Sequence, residues 1–225
     1  IAGTAAMLLG NHLKESMQHT LMKADGVAVI FIGIAGALSK MLVIKGGTID
    51  TTGTMMMIIS LSLGAIVGEM LDLDGKMIHF GEWLKIKTGN AKDKKFVDGF
   101  VTASLTVCIG AMAVVGSIED GIHADHSILF AKAILDFVII LVMSATLGKG
   151  CLFSFVPVGL FQGTITLLAS LISPFITASA MSALSYIGSI LIFCVGVNLV
   201  FNTKIRVANL LPALIVACIC TVFPL

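Results

Sequence analysis

SILFAKAILDFVIILVMSATL, residues 127–147, is apolar from end to end except for a lysine, an aspartate and three small hydroxyl side chains. At 1.5 Å per residue a helix of this length covers about 31 Å, close to the ~30 Å hydrocarbon core of a bilayer. A run of this length and hydropathy reads as a membrane span. Its two charges then become the informative residues. Asp136 lies nine residues in from Ser127, about 14 Å along the axis and near the bilayer midplane. An aspartate there costs about 2.5–3.5 kcal/mol on insertion scales. Lys132 stands one turn nearer the surface, where its long stem can snorkel. The i, i+4 spacing puts both on one helix face, so they partly neutralise each other. Two readings follow. The pair is an intrahelical salt bridge that lets the helix insert, or it is a site that binds a cation or cycles a proton.

The rest of the chain supports the membrane setting. Hydrophobic residues make up 57% of the sequence and charged residues 12%, with a mean hydropathy of +1.06. Soluble domains carry about 25% charge. Further apolar runs occupy 24–43, 54–71, 96–118, 151–172, 182–201 and 207–225. Residues 1–13 read as half of one more span; they lack the basic n-region and cleavage site of a signal peptide. The expectation is an all-α, polytopic helical membrane protein of about eight spans, the first truncated, forming one transmembrane domain over 1–225. The five cysteines fall in or beside spans without metal spacing and read as small apolar fillers.

The lysines set an expected orientation. If the long loop 72–95 is cytoplasmic, that side carries Lys14, Lys23, Lys76, Lys85, Lys87, Lys92, Lys94, Lys95, Lys149, Lys204 and Arg206. Only Lys40 and Lys45 fall on the other side, a strong positive-inside bias that places both termini outside the inner membrane. Within the basic loop, MIHFGEWLKIK reads as an interfacial amphipathic helix with Phe80 and Trp83 at headgroup level.

Two pairs of segments resemble each other: GVAVIFIG (26–33) with GSILIFCVG (188–196), and LSLGAIVG (61–68) with LLPALIVA (210–217). They match spans one to three with spans six to eight, an odd offset that makes an inverted repeat. Secondary transporters are often built this way, with sites near the midplane where helices are interrupted. Span six carries the expected interruption in LGKGCLFSFVPVGLFQG. Pro157 there frees a backbone carbonyl, and Ser154 and Gln162 are its expected partners. Asn198 in span seven completes the set of pathway candidates: Asp136, Lys132, Gln162, Asn198, Ser154 and Pro157. Glu69 is a secondary candidate, although Gly64 and Gly68 before it have the spacing of a close helix contact. Glu119 and Asp120 in the acidic loop SIEDGIHADH are others; a solvated turn is the plainer reading there, and no metal site is assigned.

These residues imply a function class by elimination as much as by presence. No His-Glu-x-x-His pair, Gly-x-Ser-x-Gly turn or phosphate-cradling glycine loop occurs, and no span contains a histidine base. Enzyme chemistry is therefore not expected, nor is a cofactor. The basic loop reads as membrane-surface charge, with no nucleic acid partner. The first reading is a transporter of a small polar or cationic solute. The alternatives are an oligomeric channel, or a sensor or assembly protein whose polar groups are structural. The expected partners are the lipid bilayer and a small solute or ion, with a homo-oligomer allowed.

GFVTASLTVCIGAMAVVGSIEDGIHADHSILFAKAILD (99–136), ATLGKGCLFSFVPVGLFQG and VANLLPAL carry a resemblance over nearly the whole chain. The sequence resembles the bacterial integral-membrane family of unassigned function typified by YdfK and YqgA. The matching core includes Gly110, Gly116, Glu119–Gly121 and the Lys132–Asp136 pair. The family's opening Gly-Thr-x-x-Asn is met by Gly3-Thr4 without the asparagine. The resemblance implies an architecture and supplies no substrate.

Overall fold

The computed structural model describes residues 15–109, 111–175 and 177–222. The first described helix, α1 (Glu15–Met41), leads into a small antiparallel hairpin, β1 (Leu42–Lys45) and β2 (Thr48–Thr51). Its two-residue turn is Gly46-Gly47, with φ of 57° and 83°, the positive angles that a tight hairpin turn needs and glycine supplies. Paired glycines between two short β-prone runs are the sequence signal of such a hairpin. Then follow α2 (Thr54–Leu71), α3 (Leu73–Lys87), α4 (Phe96–Cys108), α5 (Ala111–His123) and α6 (Ser127–Leu147). A 3₁₀ turn (Lys149–Ser154) leads into α7 (Phe155–Leu167) and the short α8 (Ala169–Ile172). The chain closes with α9 (Ala178–Phe201), a second 3₁₀ turn (Val207–Leu210) and α10 (Pro212–Val222).

The protein is an all-α polytopic membrane protein. Among the described residues, five helical segments are long and apolar enough to cross a bilayer: His19–Met41, Thr54–Leu71, Ser127–Leu147, Lys149–Leu167 and Ala178–Phe201. Phe96–Cys108 and Met112–His123 make a sixth if counted as one bent span. Of the eight expected, the truncated first lies outside the described residues, and the last forms a shorter apolar helix over Val207–Thr221.

The fourth span departs from expectation. Instead of one helix over 96–118, α4 ends at Cys108 and α5 is inclined to it by 61°. Ile109 leaves the helical region at φ −79°, ψ 110°. The interruption expected at Pro157 takes another form. Pro157 is the third residue of α7, in the first turn, where its missing N–H costs nothing. Pro212 likewise opens α10. Each proline starts a helix after a 3₁₀ turn rather than breaking one.

α4 is the buried centre. Ala103 through Val107 are buried in succession, a pattern only a helix enclosed on all sides shows. Its hydroxyls bond back one turn, Ser104 Oγ to the Phe100 carbonyl (2.6 Å) and Thr106 Oγ1 to that of Thr102 (2.8 Å), and so need no outside partner. The outer helices show the reverse: α6 exposes Phe130, Ile134, Leu135 and Val138, as a lipid-facing surface does. Helices meet through glycine. A Cβ on Gly33 of α1 would lie 2.6 Å from the Phe193 backbone of α9, while Gly26 faces Leu199 and Val200, and Gly196 faces Ile30. In the same way Gly64 of α2 rests on the Ala213 backbone of α10. Close approach of this kind lets dispersion hold helices together where lipid removes the hydrophobic drive. The antiparallel contacts of α1 with α9, and of α2 with α10, join the same segments that resemble each other in sequence.

In the basic loop, Leu73–Lys87 form the helix α3, which takes in the segment MIHFGEWLKIK. Phe80 and Leu84 dock on Phe96 and Phe100 of α4, with Phe80 stacked on the exposed Trp83 at 5.8 Å between ring centroids.

Candidate functional site

α6 carries Lys132 into the interior, where its side chain is only 8% exposed; that of Asp136 is 23% exposed. The two form an ion pair one turn apart. The Lys132 ammonium also donates to the Val107 carbonyl at 2.8 Å. That second acceptor exists because α4 stops. Val107 is the penultimate residue of α4, so its carbonyl is among the last four, which have no intrahelical donor. The end of a helix also carries the negative pole of the backbone dipoles, where a cation is favoured. The break in the fourth span thus gives Lys132 one full and one partial negative charge.

A cavity of ≈ 430 Å³ opens beside the pair, between α6, the end of α4, the 3₁₀ turn and α7. Lys132, Asp136, Ser154 and Gln162 supply its polar wall; Leu129, Phe137, Ile140 and Val158 are among its apolar lining. This volume lies within the ~300–1,000 Å³ of small-molecule sites. Ser154 Oγ donates to the Cys151 carbonyl at 2.8 Å, leaving its lone pairs to accept. Gln162 adds an amide that both donates and accepts. The 3₁₀ turn comes this close to α4 through Gly150, whose Cα sits so near the Phe96 carbonyl that no side chain fits.

Four of the six pathway candidates therefore meet at one cavity, and two do not. Pro157 is not on its wall. Asn198 closes the turn after α9: its Nδ2 donates to the Ile205 carbonyl (2.8 Å), and its Oδ1 accepts from the Ile205 N–H (3.0 Å) and the Thr203 hydroxyl (2.7 Å). An asparagine near a helix end is a turn cap as readily as a pathway residue, and here the turn holds both ends of its amide.

The secondary candidates sit in two other clusters. Glu69 belongs to a network where α2, α3 and the second 3₁₀ turn meet. Arg206 pairs with Glu69 and Asp72, and its Nε lies 3.7 Å from Asp74. Asn209, almost fully buried, donates to Glu69 and accepts the Asp74 N–H at 2.8 Å. Burial holds the Asp74 carboxyl above its ordinary range, with Arg206 pulling the other way. Gly68 lies against the Asn209 backbone, so the Gly64/Gly68 spacing is the close helix contact that its sequence suggested. Glu119 and Asp120 form two separate surface pairs, with His123 (2.7 Å) and with His126.

Sequence reasoning missed the Val107 carbonyl, which has no side-chain signature. It also missed Lys23, whose ammonium donates to the Leu199 and Val200 carbonyls at the end of α9. Asp25 was passed over inside an apolar run; its Oδ2 is buried without a hydrogen-bond partner among the described residues. Its signal in the sequence is its charge at the head of the apolar run 24–43.

The chain is 27% identical over 205 residues to the uncharacterized membrane protein YdfK of Bacillus subtilis, covering 91% of this chain and 83% of that protein. It is also 27% identical over 221 residues to the uncharacterized protein YqgA of Escherichia coli, covering 96% and 89%. No solved structure matches. The model of the protein family of unknown function DUF554 matches residues 1–222, essentially the whole sequence, and the chain belongs to that family.

Proposed function

We propose that the protein is a membrane transporter of a small polar solute, with its site in the cavity beside Lys132 and Asp136. The observation that carries this reading is the meeting of an ion pair, a hydroxyl and an amide around one cavity within membrane-spanning helices. A pair that served insertion alone would need no cavity. Polar groups at this depth that face an opening mark solute and ion pathways. The interrupted helix ending at Cys108 is the kind of element that forms transporter sites. The contacts of α1 with α9 and of α2 with α10 are those an inverted repeat produces when its two-fold axis passes between matched helices. In this reading the loop 72–95 faces the cytoplasm, by the distribution of lysines, and the membrane is the bacterial inner membrane. The polar groups bind and move a solute without making or breaking covalent bonds.

The test is the purified protein with and without Asp136→Asn. Solutes, pH and ions are screened for thermal stabilisation, and proteoliposomes for uptake. The reading expects stabilisation and saturable uptake in the native protein, with both lost in the variant. Uptake that rises linearly with concentration would point to a channel instead. If no condition separates the two proteins, the pair is structural.

A further inference from the structure

The Lys132–Asp136 pair restricts what the cavity beside it accepts. A bare cation that draws Asp136 away leaves the Lys132 charge held by a carbonyl alone. A bare anion that draws Lys132 away leaves Asp136 stranded. Either exchange uncovers a charge in a low-dielectric interior, which is the costly way to break a buried pair. A neutral solute avoids that cost and uses neither charge. One class of solute uses both and uncovers none.

We propose that the cavity binds a small zwitterion, its carboxylate on Lys132 and its ammonium on Asp136. The inference rests on the reading of the cavity as a solute site and narrows it. One ion pair is exchanged for two, and the site stays neutral throughout. The geometry assigns the moving part. Lys132 has three N–H donors, of which Val107 and Asp136 take two, leaving one for a carboxylate oxygen. Its bond to Val107 keeps the ammonium in place when Asp136 turns away. Asp136 is the more exposed partner, and its Oδ1 is the oxygen not engaged by Lys132. Gln162 serves either end of the ligand, since its amide donates to a carboxylate and accepts from an ammonium. The apolar wall, with Leu129, Phe137 and Ile140, takes an uncharged side group. The chemistry is that of an α-amino acid with an apolar side chain.

The test uses the full chain, purified, with thermal unfolding and proteoliposome uptake as readouts. The probes are the common α-amino acids, the amines lacking their carboxylates (isopentylamine for leucine), the acids lacking their amines (4-methylpentanoate), and glycerol. At least one amino acid is expected to raise the unfolding midpoint and be taken up, while its amine and acid counterparts at equal concentration do neither. Asp136→Asn and Lys132→Met each weaken the effect by about tenfold or more. The double variant Lys132→Met/Asp136→Leu, which leaves no charge unpaired, keeps its fold and shows no amino-acid effect. Stabilisation by the amine, the acid or glycerol alone, lost in Asp136→Asn, overturns the zwitterion and leaves the solute site standing. If no probe separates the native protein from Asp136→Asn, the solute site itself fails.

Discussion

The Lys132–Asp136 pair and the Arg206 cluster both set one cation against carboxylates, under opposite conditions. Arg206 is 43% exposed and has three carboxylates within reach, so losing any one of them leaves its charge paired and partly hydrated. Lys132 is buried, with one carboxylate and one carbonyl. Redundancy makes the first cluster tolerant; the second has none. The Arg206 cluster also owes its shape to backbone contact, because Gly68 and Asn209 touch there. The Lys132 pair instead borders an opening. The two clusters differ in whether their groups have anything left to bind.

Substitutions in and around the two clusters break or sharpen that contrast. The largest effect is expected from Lys132→Met, which strands Asp136 and should cost roughly 3–5 kcal/mol in denaturant unfolding of the detergent-solubilised protein. Adding Asp136→Leu should return stability to within about 1 kcal/mol of the native protein, since replacing both members of a buried pair by apolar groups is often neutral. A double variant as unstable as the single one would show that the pair holds the fold together. Next comes Gly68→Leu, which drives a side chain into the Asn209 backbone and should cost about 1–3 kcal/mol or more by the same measurement. Gly159→Ala on α7, where a Cβ meets open space, should leave stability unchanged or slightly raised.

Arg206→Ala removes partly exposed pairs and should cost only about 1 kcal/mol. Its cost should shrink further in high salt, while that of Lys132→Met should not.

The most local effect concerns Asp125, just before α6. Hydrogen bonds from the Ser127 hydroxyl and N–H hold its carboxyl below the ordinary 3.8. A depressed carboxylate contributes stability above its ordinary value and loses it as pH falls through the lower one. Amide exchange in the first turn of α6 should therefore speed up below about pH 4, and Asp125→Ala should exchange fast at every pH. Unchanged exchange in that variant would remove Asp125 from the start of the helix.

Much of the fold was legible because hydropathy is a property of composition. The spans at 54–71 and 127–147 begin and end where the apolar runs do. Lys132 and Asp136 were legible for the same reason, since charge stands out in such a run. Ser154 and Gln162 followed from the glycines and proline around them, although Pro157 itself proved to start a helix. The break after Cys108 was hidden, because 99–118 carries no charge and no proline and hydropathy does not register a change of direction. The Val107 carbonyl was hidden with it, as any residue can supply a backbone acceptor once a helix stops. Asn198 misled because the residues up to seven positions on, and not its own identity, decide whether its amide caps a turn.

The neutrality of the buried pair also bears on the membrane potential. A charge carried across the bilayer gains or loses about 2.3 kcal/mol for each 100 mV. Lys132 and Asp136 sum to zero, and a zwitterion lying between them adds nothing to that sum. Tilting or rocking this assembly through the field does almost no electrical work. Transport through such a site would run on the solute's own gradient, indifferent to voltage, unless a separate ion travels with it.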